Sequence, residues 1–271
     1  MGGMFSTRVI TLMPVAIAIN IVLGYTVQTV LKLPIYLDSI GTILVGVLAG
    51  PIAGALTGIL SNLIWQYAPG IGGGTIGPFA VTAGVIGLLA GLWGQLGVYR
   101  SRPASGTQLL IAAVVGAAIV VVVVVPIINN PAYTDPNVGG YPDWVYTAAV
   151  VIAAVAAVVV AGFIYLRRDL AGLWVALAGV ITGVIAAIVS APIAAYVFGG
   201  VTGSGTDVIV AALRHGGSDV LQASLGQGLF SDPIDKTITS FVVFIVLAGL
   251  SPRLIARFPN GEKLTGSSAT W

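Results

Sequence analysis

Gly46, Gly50, Gly54 and Gly58 recur every four residues inside an apolar stretch that runs from Leu37 to Trp65. On a helix this spacing repeats along one face, and a face without side chains lets a neighbouring backbone approach closely. Each such glycine gives up about 1 kcal/mol of helix propensity relative to alanine. Few helices in water tolerate four of them. In lipid the balance reverses, because close packing of small residues replaces the hydrophobic drive that lipid does not supply. Only 7% of the 271 residues are charged and 57% are hydrophobic, whereas soluble domains carry roughly 25% charged residues. An all-α integral membrane protein is the expectation.

A helix needs about 20 apolar residues to cross a bilayer. Runs of that kind cover residues 7–31, 38–50, 51–67, 76–98, 107–128, 143–166, 170–199 and 234–251. They predict a polytopic membrane helix bundle of about eight transmembrane helices. The first run lacks a small-residue cleavage site and is expected to be retained. The second and third runs are short and meet at Gly50-Pro51, where proline suits the first turn of a new helix. They form either two tilted crossings or one re-entrant pair. Basic residues favour crossings, since they collect in cytoplasmic loops. With eight crossings and both termini cytoplasmic, Arg8, Arg100, Arg102, Arg167, Arg168, Arg253, Arg257 and Lys263 all fall inside. Lys32, Arg214 and Lys236 are the exceptions. Residues 1–258 are then a single membrane domain, followed by a short cytoplasmic tail over 259–271. The seventh run carries a second row of small residues, Gly179 and Gly183 continued by Ala187, Ala191 and Ala195, and Pro192 is expected to kink it.

Polar side chains at membrane depth are expensive and are functional candidates by default, although some only join helices. Asn20 and Gln28 share a face of the first helix. Asn62 and Gln66, beside Trp65 and Tyr67, form either a pocket for a neutral heteroaromatic or amide-bearing ligand or an interfacial belt with interhelical hydrogen bonds. Tyr36 and Asp38 stand at the outer start of the second run, with Asp38 either a helix cap or a pocket group. The glycine-rich loop over 69–75 is an outer linker or a lid. Residues 201–236 suggest a pair of short amphipathic surface helices containing Gln227. Asp232-Pro233-Ile234-Asp235 has the order of a helix start, with Asp232 at the cap, Pro233 at the first position and Asp235 completing a capping box. Lys236 is left to hold a ligand carboxylate or phosphate.

Several classes of chemistry are unsupported. There is no cysteine and His215 is the only histidine, so no metal site is expected. No serine stands in a nucleophile context, and no enzyme or cofactor is expected. Glu262 is the only glutamate, so a proton relay of buried acids is not expected, which argues against a self-powered proton-coupled carrier. No nucleotide-binding loop is present, and a net charge of +2 is too small to suggest nucleic acid.

Leu37-Asp38-Ser39-Ile40-Gly41-Thr42, continued by Gly50-Pro51, Gly54-Ala55-Leu56, Gly58 and Ser61-Asn62, resembles the substrate-binding (S) components of energy-coupling factor (ECF) transporters. Ser190-Ala191-Pro192-Ile193 and Gln227-Gly228-Leu229 through Asp235-Lys236 resemble the same family. The resemblance covers the first 98 and last 90 residues and implies a six-helix core, with the 107–166 pair as an addition. It also implies a bacterial plasma-membrane subunit, embedded in lipid, that captures a vitamin or similar small-molecule micronutrient. Such a subunit passes its substrate to a membrane T component driven by two ATPases. The family places its pocket at the outer helix ends, which here holds Tyr36, Asp38, Asn62, Trp65, Gln66, Gln227, Asp235 and Lys236. It docks on the T component through small residues four apart on the first helix, here Ala16, Asn20 and Gly24. A stand-alone carrier and a ligand-sensing membrane protein are the competing readings.

Overall fold

The computed structural model describes residues 5–31, 35–71, 76–128 and 143–266, and the regular elements among them are all helices. Helix α1 (Thr7–Gly24) continues without a break into a π-helical segment, Tyr25–Val30. A non-helical stretch over residues 35–39 leads into α2 (Ile40–Ala49), and Gly50 turns the chain into α3 (Pro51–Tyr67). A 3-10 turn, Gly77–Phe79, opens α4 (Ala80–Gln95). There follow α5 (Thr107–Ile128), α6 (Asp143–Arg167), α7 (Ala171–Phe198), the short α8 (Asp207–His215) and α9 (Val220–Gly249). Two short helices, α10 (Pro252–Ile255) and α11 (Gly261–Thr265), close the described chain.

Among the described residues, Thr7–Val30, Gly77–Gln95 and Ala171–Phe198 are long and apolar enough to cross a membrane. Large apolar side chains point outward, as Ile10, Val15 and Val22 do on α1, while Asn20, Thr42, Thr57 and Ser61 are buried. That inversion is what lipid surroundings require. Helix α2 does not cross alone. Its ten residues rise about 15 Å, half of the roughly 30 Å hydrocarbon core. The expected run over 38–50 is therefore a composite of non-helical chain and short helix.

The glycine row divides between two helices instead of lining one face. Gly46 lies on α2, Gly54 and Gly58 lie on α3, and the hairpin turns both sets toward α4. A Cβ on Gly54 would stand 2.5 Å from the Gly87 carbonyl oxygen and 2.6 Å from Gly46 Cα. One on Gly58 would enter the Ala83 carbonyl, and one on Gly91 would enter Pro51. Gly50 has a different reason to be glycine. Its φ of +102° and ψ of 174° lie in a region that side chains exclude, although a Cβ there would meet nothing nearer than Gln95 Nε2 at 3.8 Å. Gly50→Ala is accordingly expected to lower stability by about 1–3 kcal/mol, read as a drop in the thermal midpoint in detergent. An unchanged midpoint would show that the turn relaxes freely.

Helices α7 and α9 form the second seam. A Cβ on Gly179 would sit 2.5 Å from Thr237 Cα, and one on Gly183 would collide with Pro233. The expected helix start at Asp232 is not found. Helix α9 is continuous from Val220 to Gly249 with Pro233 inside it. Its cap is Asp219, whose carboxylate accepts from Gln222 N at 2.8 Å while Gln222 Oε1 accepts from Asp219 N at 3.2 Å. An interior proline removes one backbone hydrogen bond and crowds the preceding turn of its own helix, and Gly183 of α7 packs against the backbone at that point. The expected amphipathic pair over 201–236 reduces to α8, whose Ile209, Val210 and Leu213 pack on Ala223 and Phe230 of α9.

Helices α5 and α6 pack on each other and join the main core. Leu109, Ala112, Ala113, Ala157, Val160 and Ile164 cluster with Phe241 and Phe244 of α9, while Leu110, Ile111 and Val114 stay exposed. The side chains of Val120 and Val122–Val125, in a run whose lack of polar atoms suits a lipid-facing or scaffolding role, lie outside the described residues. At the end of the bundle away from residues 35–39, Asp169 ties the loops together by accepting from Ser101 Oγ at 2.6 Å, Arg102 N at 2.8 Å and Ala171 N at 2.8 Å. The expected separate tail is partly built into the bundle. Asn260 N donates to the Leu48 carbonyl and Asn260 Nδ2 to the Val47 carbonyl, both at 3.0 Å, which supplies donors to the unpaired C-terminal end of α2.

Candidate functional site

The non-helical stretch before α2 is held in place by α9. Asp235, fully buried, accepts from Leu37 N at 2.8 Å and Tyr36 N at 3.1 Å. Backbone outside a helix carries amide groups that lipid does not satisfy, and this carboxylate satisfies two of them. Asp235 also accepts from Lys236 Nζ at 2.6 Å, and the same ammonium donates to Ser39 Oγ at 2.7 Å and stands 3.5 Å from Asp38 Oδ1. On the other side of Asp38, Gln28 Nε2 donates to Oδ2 at 3.1 Å. Gln28 reaches inward from the π-helical end of α1, a geometry that often occurs at functional sites.

A second hydrogen-bonded chain crosses the same region. Gln227 Nε2 donates to Tyr36 Oη at 2.9 Å, and that hydroxyl pairs with Thr206 Oγ1 at 3.1 Å. Thr206 pairs in turn with Ser204 at 2.6 Å. Lys236 Nζ lies 5.9 Å from the Tyr36 ring centroid, within cation–π range.

These groups surround a cavity of about 410 Å³. The π-helical segment, residues 36–39, α3, α4, α7, the 202–204 loop and α9 all contribute to its wall. Trp65 is buried in it with its indole N–H donating to the Ile71 carbonyl at 3.0 Å. Phe79 stacks on Phe198 with centroids 5.6 Å apart, joining the outer ends of α4 and α7. Such a space, mostly apolar with a few converging polar groups, is of the size that encloses a small organic molecule.

Of the expected pocket residues, Tyr36, Asp38, Asn62, Trp65, Gln227 and Lys236 line this cavity. Gln66 does not; its side chain accepts from Gly77 N at 2.7 Å and holds the α3–α4 connection. Asp235 lies behind the wall as the clamp on residues 36 and 37. Lys236 is not a spare cation, since it is buried and bonded to Asp235 and Ser39. Gly70 and Ile71 reach the cavity, while the remainder of the expected lid, residues 72–75, lies outside the described residues, as does Lys32. Gln28, Ser39, Thr206 and Asp232 were missed as site residues, because what brings them together is contact between distant segments.

The face of α1 expected to meet another subunit is turned inward. Asn20 donates to Thr42 Oγ1 at 2.8 Å and Ser61 Oγ at 2.9 Å and accepts from Gly41 N at 2.7 Å. Ala16 is buried, with its carbonyl where a Gly41 Cβ would fall, and a Cβ on Gly24 would stand 2.7 Å from the Trp65 ring. All three are internal packing positions.

The family model described as ECF transporter, substrate-specific component, matches residues 8–141. The matched segment takes in α1 to α5, including the helix expected to be an addition to the family core. No curated protein and no solved structure matches the chain.

Proposed function

Because the chain belongs to the family of ECF transporter substrate-specific components, we propose that it captures a small micronutrient, of the vitamin class, from outside the cell for ATP-driven uptake. The energy comes from a T component and two ATPase subunits, which this chain lacks the motifs to replace. The observation that carries the reading is the cavity of about 410 Å³, walled by both the matched segment and α9. It has polar groups converging on it. The residues proposed to meet substrate are Tyr36, Asp38, Asn62, Trp65, Gln227, Asp232 and Lys236.

The proposed setting is a bacterial plasma membrane with both termini cytoplasmic and eight passages of the chain, one of them the composite of residues 35–39 and α2. Grouping of eight of the eleven basic residues in loops of one side supports this topology.

The test is capture of the tagged chain from its host in mild detergent, followed by identification of what accompanies it. A polytopic membrane protein with two ATPases is the expected result. Recovery of the chain alone, under conditions that hold a control complex together, would move the assignment to a stand-alone carrier or a sensor. Asn62→Ala is expected to weaken binding of the compound extracted with the purified chain on the order of fivefold to tenfold, with expression unchanged. An unaltered affinity in the titration removes Asn62 from the contact set.

A further inference from the structure

The cavity contains more carboxyl groups than its single lysine balances. Lys236 is committed to Asp235 and Ser39 at 2.6 and 2.7 Å. Asp235 is saturated by that ammonium and two backbone amides. Asp38 keeps only Gln28 and the long 3.5 Å contact to Lys236, and a quarter of its side chain is open. Asp232 lines the cavity at 5% exposure. Among the described residues it accepts no hydrogen bond and forms no ion pair, although Lys236, Asp235 and Asp38 all act on it electrostatically. A buried carboxyl without a partner is unfavourable until something pairs with it. Arg214 does not supply that partner, because it is exposed on α8 and outside the cavity wall. The aromatic rings of Tyr25, Trp65 and Phe79 line the same space, and such rings attract positive charge. No group of acids among the described residues is arranged to hold a metal ion.

We propose that the cavity selects an organic cation, with its positive centre between Asp232 and Asp38 and its flat or apolar body against Trp65 and Phe79. The inference rests on the reading of this cavity as the substrate site. It replaces the sequence-based expectation of a neutral or anionic ligand.

Three ring compounds of nearly equal size separate the possibilities: 1-methylnicotinamide, which is a cation, nicotinamide, which is neutral, and nicotinate, which is an anion. Calorimetric titration of the purified full chain is expected to rank the cation at least about tenfold tighter than the neutral amide, with nicotinate weakest. Asp232→Asn keeps the side-chain shape and is expected to remove the preference. Asp38→Asn serves as the second variant if the first does not yield monodisperse protein. Equal or tighter binding of nicotinamide or nicotinate overturns the proposal. So does an absence of saturable cation binding at millimolar concentration, or a preference that survives both substitutions. Any of those results, alongside continued capture of the ATPase partners, would leave the transporter reading standing and discard only the charge assignment.

Discussion

Lys236→Met is expected to destabilise the folded chain by about 3–5 kcal/mol, the loss typical when one member of a buried charged pair is removed. Methionine matches the lysine stem in length, so the packing volume is nearly kept and the change is chiefly electrostatic. Asp235 would then stay buried with only the Tyr36 and Leu37 amides, and Asp38 would lose its nearest cation. The checking measurement is the thermal midpoint and the recovered fraction of monodisperse protein in detergent. Combining Lys236→Met with Asp235→Asn is expected to recover part of the loss, because the double variant no longer isolates that carboxylate. Wild-type behaviour of Lys236→Met alone would mean that the cluster is compensated from elsewhere, and the charge reasoning at the cavity would fall with it.

Gly87→Leu is the other change with a large expected effect. A Cβ at Gly87 would enter the Gly54 carbonyl group and the Ala55 nitrogen. These are backbone atoms of α3, and they cannot swing aside as a side chain would. Overpacking usually costs about 1–3 kcal/mol; separating two helix backbones places this variant at the top of that range or above it. Gly249→Leu is the matched control, since a Cβ there meets nothing within 4 Å. Recovery of folded protein is expected to collapse for Gly87→Leu and to stay near wild type for Gly249→Leu. Equal recovery of the two would show that the seam between α3 and α4 opens without penalty.

Local chemistry made the helical, lipid-embedded character of the chain legible, because apolar run length and small-residue spacing are properties of neighbouring residues. The glycine row was visible on the same grounds, and Gly50-Pro51 marked the turn that divides it between α2 and α3. At Asp232-Pro233-Ile234-Asp235 the residue order of a helix start occurs inside a helix. Gly183 of α7 packs against the Asp232–Pro233 backbone at that point, a contact between segments that the local residue order does not carry. The cavity was partly legible: Tyr36, Asp38, Asn62, Trp65, Gln227 and Lys236 stood out as polar or aromatic groups near helix ends, and all six line it. Their partners did not stand out. Lys236 meets Asp38 and Ser39 across 198 and 197 positions, and no short-range pattern encodes such a contact. The same distance explains why Lys236 looked available for an anion when it is already neutralised.

Helix α2 touches both ends of the molecule. Ser39, at its N-cap, accepts from Lys236 at the cavity, while Val47 and Leu48 near its other end hold Asn260. One ten-residue helix, rising about 15 Å, therefore separates the lysine cluster at the cavity from the C-terminal segment, and side chains from the last third of the chain anchor both of its ends.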